Sequence, residues 1–179
     1  MTTVATSVKT WWLSGLPGAG KTTLAQNLAT QLRQRGLAVC VLDGDELRHG
    51  LSQDLGFSPA DRQEQARRVA EMARLLNLNG IYAIVALVSP SLAGRALARQ
   101  IIGASFFIEC YISTPLAVCE QRDPKGWYAR AKQNRHLQFT GISAPYQAPV
   151  QAECVIDTSC CTIAEAVAQL MSLMSHSTF

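Results

Sequence analysis

A glycine-rich stretch near the amino terminus, Gly15-Leu16-Pro17-Gly18-Ala19-Gly20-Lys21-Thr22, constrains the fold of this chain more than any other feature. It matches the pattern G-x-x-x-x-G-K-[ST], follows a short apolar run and precedes a segment with leucines at helical spacing. Glycines let successive backbone N–H groups turn around a phosphate, while the lysine reaches the outer oxygens and the hydroxyl binds Mg²⁺. The stretch therefore predicts a phosphate-binding loop between a buried strand and a helix.

Five short apolar runs separated by helical patterns predict an α/β fold. The runs are continuously apolar, as expected for a five-stranded parallel sheet covered by helices on both faces. Together with the phosphate-binding loop they indicate a P-loop NTPase of the nucleoside-monophosphate-kinase-like kind. The predicted strands are Trp11–Leu13, Ala38–Leu42, Ile81–Val88, Phe106–Ile112 and Cys154–Ile156.

Local end signals delimit two of the predicted helices. Ser58 followed by Pro59 predicts a helix start, and Asn79-Gly80 predicts its end. Thr162 with Glu165 three residues later predicts a capping box at the start of the last helix. No internal repeat or Pro/Ser-rich linker interrupts the pattern, so residues 1–179 are interpreted as a single domain.

Composition excludes several classes of protein. The longest apolar run has eight residues, against the roughly 20 that a membrane-spanning helix needs. Cleavage of a signal peptide would remove the phosphate-binding loop, and the six cysteines form no C-x-x-C pair, so a cytoplasmic protein with reduced thiols is expected. The net charge of +3 is too small to predict nucleic-acid binding.

Acidic and basic side chains adjoin one another after the second predicted strand. Asp43 and Asp45 follow that strand, where a parallel sheet binds its ligands. Arginine supplies 12 of the 16 basic residues, and its planar guanidinium suits phosphate and sulfate oxygens. Four arginines lie within residues 48–68, and they fit either an anion-binding site or a solvated helical face. The clustered arginines are Arg48, Arg62, Arg67 and Arg68.

The phosphate-binding loop occurs in GTPases, ATPase motors and small-molecule kinases. No N-K-x-D guanine-binding motif is present, and the chain is too short for the additional domains of a motor. A compact phosphotransferase remains, which needs a carboxylate near Mg²⁺ and a second anion-binding region for the acceptor.

An ordered series of motifs, running from the loop to about Asp157, resembles the adenylyl-sulfate (APS) kinase family. The motifs are D-G-D at 43–45, R-H-G-L at 48–51, D-L-G-F-S at 54–58, S-P at 89–90, R-D-P-K-G at 122–126, F-T-G-I at 139–142 and P-Y at 145–146. The resemblance implies transfer of the γ-phosphoryl group of ATP to the 3′-hydroxyl of adenylyl sulfate, giving 3′-phosphoadenylyl sulfate for sulfate assimilation.

The resemblance also implies catalytic roles for three residues, Lys21, Asp45 and Ser89. Asp45 corresponds to the carboxylate that orients or deprotonates the attacking hydroxyl. Family descriptions give the serine matching Ser89 as a phosphoserine intermediate. We favour direct in-line transfer with Ser89 as a strand-end contact, because phosphoryl transfer mainly needs positioning and charge stabilisation.

Further binding residues follow from the same motifs. ATP, as co-substrate, is expected at the loop residues 15–22, at Thr23 and at Arg122, with Mg²⁺ at Thr22 and Asp43. Phe57 and Phe139 are expected to sandwich the adenine of the acceptor, and Arg48 and Arg62 to hold its anionic groups. The full set expected at the acceptor is Asp45, Arg48, Phe57, Arg62, Gln65, Val88, Ser89, Lys125 and Phe139.

The chain departs from the family pattern in three segments. Residues 91–94 replace the usual Tyr-Arg and charged residues, Gln65 stands where asparagine is usual, and residues 133–138 lack the usual acidic and lysine residues. Two alternatives to the kinase therefore stay open: a catalytically weak nucleotide-binding module that serves a sulfate-activating partner enzyme, and a kinase of another small acceptor. A homodimer is the family expectation for the assembly.

Overall fold

The computed structural model describes residues 8–134 and 139–174, and in them five parallel strands form one sheet in the order β2-β3-β1-β4-β5. This arrangement confirms the predicted parallel α/β sheet. The strands are Thr10–Gly15 (β1), Val39–Asp43 (β2), Tyr82–Ala86 (β3), Phe107–Ile112 (β4) and Cys154–Ile156 (β5).

The third strand is shorter than the apolar run that predicted it. Regular pairing ends at Ala86, although the Leu87 amide still donates to the Leu13 carbonyl at 3.2 Å. Gly15 then donates to the Val88 carbonyl at 3.3 Å, and Ser89 has a φ of 43° that turns the chain out of the sheet. Apolar composition therefore extends past the strand because the chain stays buried after its regular pairing stops.

Helices cover both faces of the sheet. Helices α1 and α7 pack on one face with Trp11, whereas α3 and α4 pack on the other with Trp12. Successive side chains of a strand point to opposite faces, so the two neighbouring tryptophans, both fully buried, anchor the two halves of the core. The helices are Lys21–Gln34 (α1), Gly44–Arg48 (α2), Pro59–Leu78 (α3), Leu92–Ile102 (α4), Leu116–Arg122 (α5), Trp127–Gln133 (α6) and Ile163–Ser172 (α7).

The predicted end signals of α3 and α7 are confirmed. Ser58 caps α3 in a capping box with Asp61, and Asn79 lies at its C-terminal end. Thr162 caps α7 and forms the reciprocal pair of hydrogen bonds with Glu165. These side chains satisfy backbone N–H groups that have no partner within the helix.

The order of the strands decides which loops meet. Because all five strands are parallel, their carboxyl ends lie at one edge of the sheet. The adjacent order β2-β3-β1 places Asp43, the Val88–Ser89 segment and the phosphate-binding loop side by side at that edge. This is the edge at which open α/β sheets bind ligands.

The cap of α7 can be tested apart from the site. Thr162→Ala should lower the free energy of unfolding by about 1 kcal/mol, because the backbone N–H of Glu165 loses its acceptor. Urea denaturation monitored by circular dichroism measures the change. Thr30→Ala is the matched control, since the Thr30 hydroxyl donates to the Gln26 carbonyl within α1 and caps nothing. Equal midpoints for the wild type and Thr162→Ala would contradict this account of the cap.

Candidate active site

The phosphate-binding loop turns where only glycine fits. Gly15 has a φ of 149°, and a Cβ atom there would lie 2.4 Å from the Ile112 carbonyl oxygen of the neighbouring strand. Gly20 adopts a left-handed conformation and is the residue before the first turn of α1. Free N–H groups and the positive end of the helix dipole are therefore available at this end of α1 for a phosphate.

Lys21 lies inside the loop. Its ammonium donates to the carbonyls of Gly15 at 2.9 Å and Leu16 at 2.7 Å, and its side chain is buried. Burial lowers its pKa to about 8, although the nearby Cys119, Asp43 and Asp45 side chains raise it. The lysine is thus a poorly hydrated cation held within the loop, as a residue that meets phosphate charge requires.

Thr22 and Asp43 are brought together by the fold. The Thr22 hydroxyl donates to the Asp43 carboxylate at 2.7 Å, and the other carboxylate oxygen caps α2 by accepting from the Asp45 amide. A hydroxyl and one carboxylate are hard oxygen donors that suit Mg²⁺, which usually keeps several waters and binds substrate phosphates as well. Within residues 8–134 and 139–174 no group of three or more His, Cys, Asp or Glu side chains is placed to hold a metal.

Asp45 and Lys125 meet across the mouth of the site. Asp45 lies in the first turn of α2, and its carboxylate accepts a hydrogen bond from the Lys125 ammonium, which precedes α6. Both side chains are more than half exposed, so the ion pair contributes little to stability and can open at low cost. The ion pair therefore holds the two side chains near each other at the site, but either side chain can leave it for another partner.

Two of the four clustered arginines carry no acidic partner. Arg48 and Arg62 lie over the ring of Phe57, with guanidinium carbons 4.4 and 5.6 Å from its centroid. Among the described residues neither forms an ion pair, and burial lowers the pKa of both. Arg67 and Arg68 instead pair with Glu64 on the surface of α3, and Arg68 also pairs with Asp54. The cluster thus divides into two arginines without an ion-pair partner and two that lie on a solvated helical face.

Gln65 holds Arg48 in position. Its side-chain carbonyl accepts from the Arg48 guanidinium at 2.5 Å, and its amide donates to the Gly44 carbonyl at 3.2 Å. Arg48 also donates to the carbonyls of Leu55 and Gly56. The buried glutamine therefore joins α3 to the start of α2.

Ser89 is held by two residues that the motifs did not identify. The Trp12 indole N–H donates to the Ser89 hydroxyl at 3.0 Å, and Arg95 donates to its carbonyl at 2.7 Å. Arg95 is buried and pairs with Glu109 on β4. The sequence did not predict these contacts of Arg95, which lies near the start of α4 after the unusual residues 91–94. Its partners belong to other elements of the fold, so no local pattern reveals them.

One cavity of about 510 Å³ joins most of these groups, a volume typical of small-molecule sites. It is lined by all nine residues expected at the acceptor, including Val88 and Ser89, and also by Trp127. Phe57 is 50% exposed there, whereas Phe139 is only 8% exposed and packs edge-on against Tyr128 with centroids 4.9 Å apart. The cavity is lined by Lys21, Thr22, Asp43, Asp45, Arg48, Phe57, Arg62, Gln65, Val88, Ser89, Lys125, Trp127 and Phe139, among others.

Arg122 lies outside this cavity. It donates to the hydroxyl of Thr158 at 2.7 Å, and that hydroxyl donates to the Ala19 carbonyl of the loop at 2.9 Å. Thr23 is exposed in the first turn of α1. These two predicted ATP contacts therefore adjoin the phosphate-binding loop but do not line the cavity of the acceptor residues.

A phosphate-binding loop, a Thr–Asp pair suited to Mg²⁺ and a neighbouring cavity with unpaired arginines define a P-loop phosphotransferase. The chain belongs to the adenylylsulphate kinase family, whose model matches residues 7–157. It is 51% identical over 163 residues to the adenylyl-sulfate kinase of Shewanella amazonensis, covering 91% of this chain and 82% of that protein. It is 48% identical over 161 residues to that of Paraburkholderia xenovorans, covering 90% of this chain and 89% of that protein.

Solved structures agree with this assignment. The Mycobacterium tuberculosis APS kinase CysC in complex with AMPPNP and APS superposes with a TM-score of 0.90 at 41% identity, covering 94% of this chain and 98% of that one. A sugar kinase from Janibacter superposes with a TM-score of 0.64 at 16% identity and shows the shared fold alone. Within the described ranges, no helix has the length and apolar character needed to cross a membrane.

The lowered pKa of Lys21 predicts a pH dependence. The free enzyme loses the Lys21 proton as the pH rises through about 8, so kcat/KM for ATP should fall above that pH. Bound phosphates keep the lysine charged, so kcat should decline only at higher pH. Steady-state profiles at saturating Mg²⁺ measure both. A kcat/KM that stays flat from about pH 7 to pH 9, or that falls in parallel with kcat, would contradict the assignment.

Proposed function

We propose that this chain is an adenylyl-sulfate kinase, which transfers the γ-phosphoryl group of ATP to the 3′-hydroxyl of adenylyl sulfate. One observation carries the proposal: a single cavity holds the loop lysine, a carboxylate and two unpaired guanidinium groups stacked on an aromatic ring. The acceptor combines a planar base with anionic groups, which is the chemistry that such a wall recognises. Membership of the family supports this choice of acceptor.

ATP binds through the loop in this proposal. The backbone amides of residues 15–22 surround its phosphates, Lys21 meets the charge of the transferred group, and Thr23 and Arg122 contact the nucleotide beside the loop. Thr22 and Asp43 would hold Mg²⁺, which supplies charge neutralisation at the phosphate oxygens. The hydrogen bond between these two side chains supports that pairing.

The acceptor lies across the cavity. Arg48 and Arg62 hold its phosphosulfate group, and Phe57 and Phe139 contact its adenine. Asp45 orients the 3′-hydroxyl and accepts its proton, and for this Lys125 must leave the carboxylate. Lys125 is then free to move toward the developing charge on the transferred phosphoryl group. The exposure of the Asp45–Lys125 pair supports such an exchange of partners.

Direct in-line transfer fits Ser89 better than a phosphoserine intermediate. The Ser89 hydroxyl already accepts a hydrogen bond from Trp12, and its backbone is fixed in a left-handed conformation by Arg95. These contacts hold the serine at the strand end as part of the acceptor wall, next to Val88 and Gln65. The unusual residues 91–94 form the start of α4 with Ser91 as its cap, so they leave this wall intact.

We propose that the kinase is cytoplasmic and forms a homodimer, which is the family expectation. Its ligands are ATP and adenylyl sulfate. One solved relative at 32% identity is a hexameric APS kinase from Thiobacillus denitrificans, of which this chain covers 30%. The altered residues 135–138 lie outside the described residues.

Incubation of the purified chain with ATP, Mg²⁺ and adenylyl sulfate tests the activity. ADP and 3′-phosphoadenylyl sulfate should appear in equal amounts, and chelation of Mg²⁺ or the change Lys21→Ala should abolish both. Loss of one aligned charge contact typically lowers the rate by roughly 10²–10³-fold. Binding of both nucleotides without product would favour the nucleotide-binding module, and ADP formation with a different acceptor alone would favour another small-molecule kinase.

Asp45→Asn should lower kcat far more than it raises KM for adenylyl sulfate. The amide keeps the shape of the side chain and can still contact the hydroxyl, but it cannot accept a proton. Steady-state kinetics with each substrate varied in turn separates the two effects. Glu46→Gln, at the neighbouring acidic position of α2, is the matched control. A raised KM with unchanged kcat would make Asp45 a binding residue only.

A further inference from the structure

Trp127 is an aromatic residue of the cavity to which the motifs give no role. It is the first residue of α6, directly after Lys125 and Gly126, and it is partly buried. Its ring lies 6.4 Å from that of Phe57, with an angle of 55° between the ring planes. Both rings line the cavity that holds the unpaired arginines.

The chain on each side of Trp127 is anchored to a different part of the site. Lys125 donates to Asp45 on the acceptor side. The Tyr128 hydroxyl donates to the Pro17 carbonyl of the phosphate-binding loop at 2.8 Å. Gly126, with a φ of 66°, allows the tight turn between these anchors. The partly buried Tyr128 contact therefore holds the indole beside Phe57, whereas the exposed Lys125–Asp45 pair can open.

Phe139 offers less ring surface than Trp127 does. Its ring is 8% exposed and packs edge-on against Tyr128, so it belongs to the core as much as to the cavity. A base stacked between two rings needs a separation of roughly 7 Å, twice the van der Waals contact distance. Phe57 and Trp127 are tilted by 55° and contact each other, with centroids 6.4 Å apart, so half-exposed Phe57 must rotate before a base can stack between them. Arg130 also lies over the indole, with its guanidinium carbon 5.4 Å from the ring centroid.

We propose that Trp127 is a further acceptor-binding residue, forming with Phe57 the aromatic wall that holds the adenine of adenylyl sulfate. This inference rests on the proposed function and extends it to a residue beyond the motif set. Because Trp127 follows Lys125 by two residues, stacking of the base also draws the lysine and its turn toward the acceptor.

Tryptophan fluorescence reports this contact directly. The chain has three tryptophans, and the other two, Trp11 and Trp12, are fully buried in β1 and do not line the cavity. Because the Trp12 indole donates to the Ser89 hydroxyl of the cavity wall, the readout is the quenching that Trp127→Phe loses relative to the wild type. Adenylyl sulfate, titrated in the presence of Mg²⁺ and ADP so that no turnover occurs, should quench the wild-type emission with saturation. Trp127→Phe should bind the same ligand, by calorimetry, without that quenching.

Kinetics gives an independent test. Trp127→Ala should raise KM for adenylyl sulfate by roughly 10- to 100-fold, the range expected from the loss of one base–aromatic stack. KM for ATP should stay within about twofold, and Trp127→Phe should recover most of the loss. Phe106→Ala is the matched control, because Phe106 is a partly exposed aromatic residue before β4, at the opposite edge of the sheet. It should change neither KM.

Three results would overturn the inference. They are quenching that persists in Trp127→Phe, an unchanged KM for adenylyl sulfate in Trp127→Ala, and equal losses for both nucleotides with a lowered melting temperature, which would indicate packing of the turn alone. Failure of the proposed function itself is recognised separately, since the wild type would then form no 3′-phosphoadenylyl sulfate in the same assay.

Discussion

The site depends on the bracing of the phosphate-binding loop by side chains from later in the chain. The Pro17 carbonyl accepts from Tyr128, and the Ala19 carbonyl accepts from Thr114 and Thr158. Each of these hydrogen bonds is accepted by a carbonyl oxygen of the loop, and the partial negative charge of that oxygen would repel a phosphate that faced it. The loop conformation is therefore a property of the whole carboxyl edge of the sheet, because a glycine-rich segment alone would be too flexible to hold it.

On the acceptor side, the important feature is that Arg48 and Arg62 form no ion pair among the described residues. Burial without an ion-pair partner disfavours the charged guanidinium and lowers the pKa of both Arg48 and Arg62. The positive charge of Arg48 adds to the effect at Arg62, whereas Asp45 and Asp61 partly oppose it at Arg48. Gln65 and the backbone carbonyls fix Arg48 through neutral acceptors, so these hydrogen bonds do not neutralise its charge. The protein thus keeps a positive, oriented surface for an anionic ligand.

The segment from Lys125 to Tyr128 joins the two halves of the site. One end reaches Asp45, where the acceptor hydroxyl is proposed to react, and the other reaches Pro17, where the ATP phosphates are proposed to bind. Since the first contact is exposed and the second is partly buried, the acceptor end is the one that opens easily. Substrate entry can therefore occur without disturbing the phosphate-binding loop.

The sequence by itself determined the features that arise from nearby residues. The strands, the capped helix starts at Ser58 and Thr162, and the loop from Gly15 to Thr22 depend on spacing and on hydrogen bonds within a few residues. The series of motifs also identified the family, which the comparisons confirmed.

Only the tertiary structure decided which groups meet across the chain. It separated Arg48 and Arg62 from the ion-paired Arg67 and Arg68, although all four share one composition signal. It placed the Trp12 indole on the Ser89 hydroxyl, 77 positions away. It also set Trp127 beside Phe57. Such contacts leave no local pattern, because they arise where strand order and helix packing bring distant segments to the same edge of the sheet.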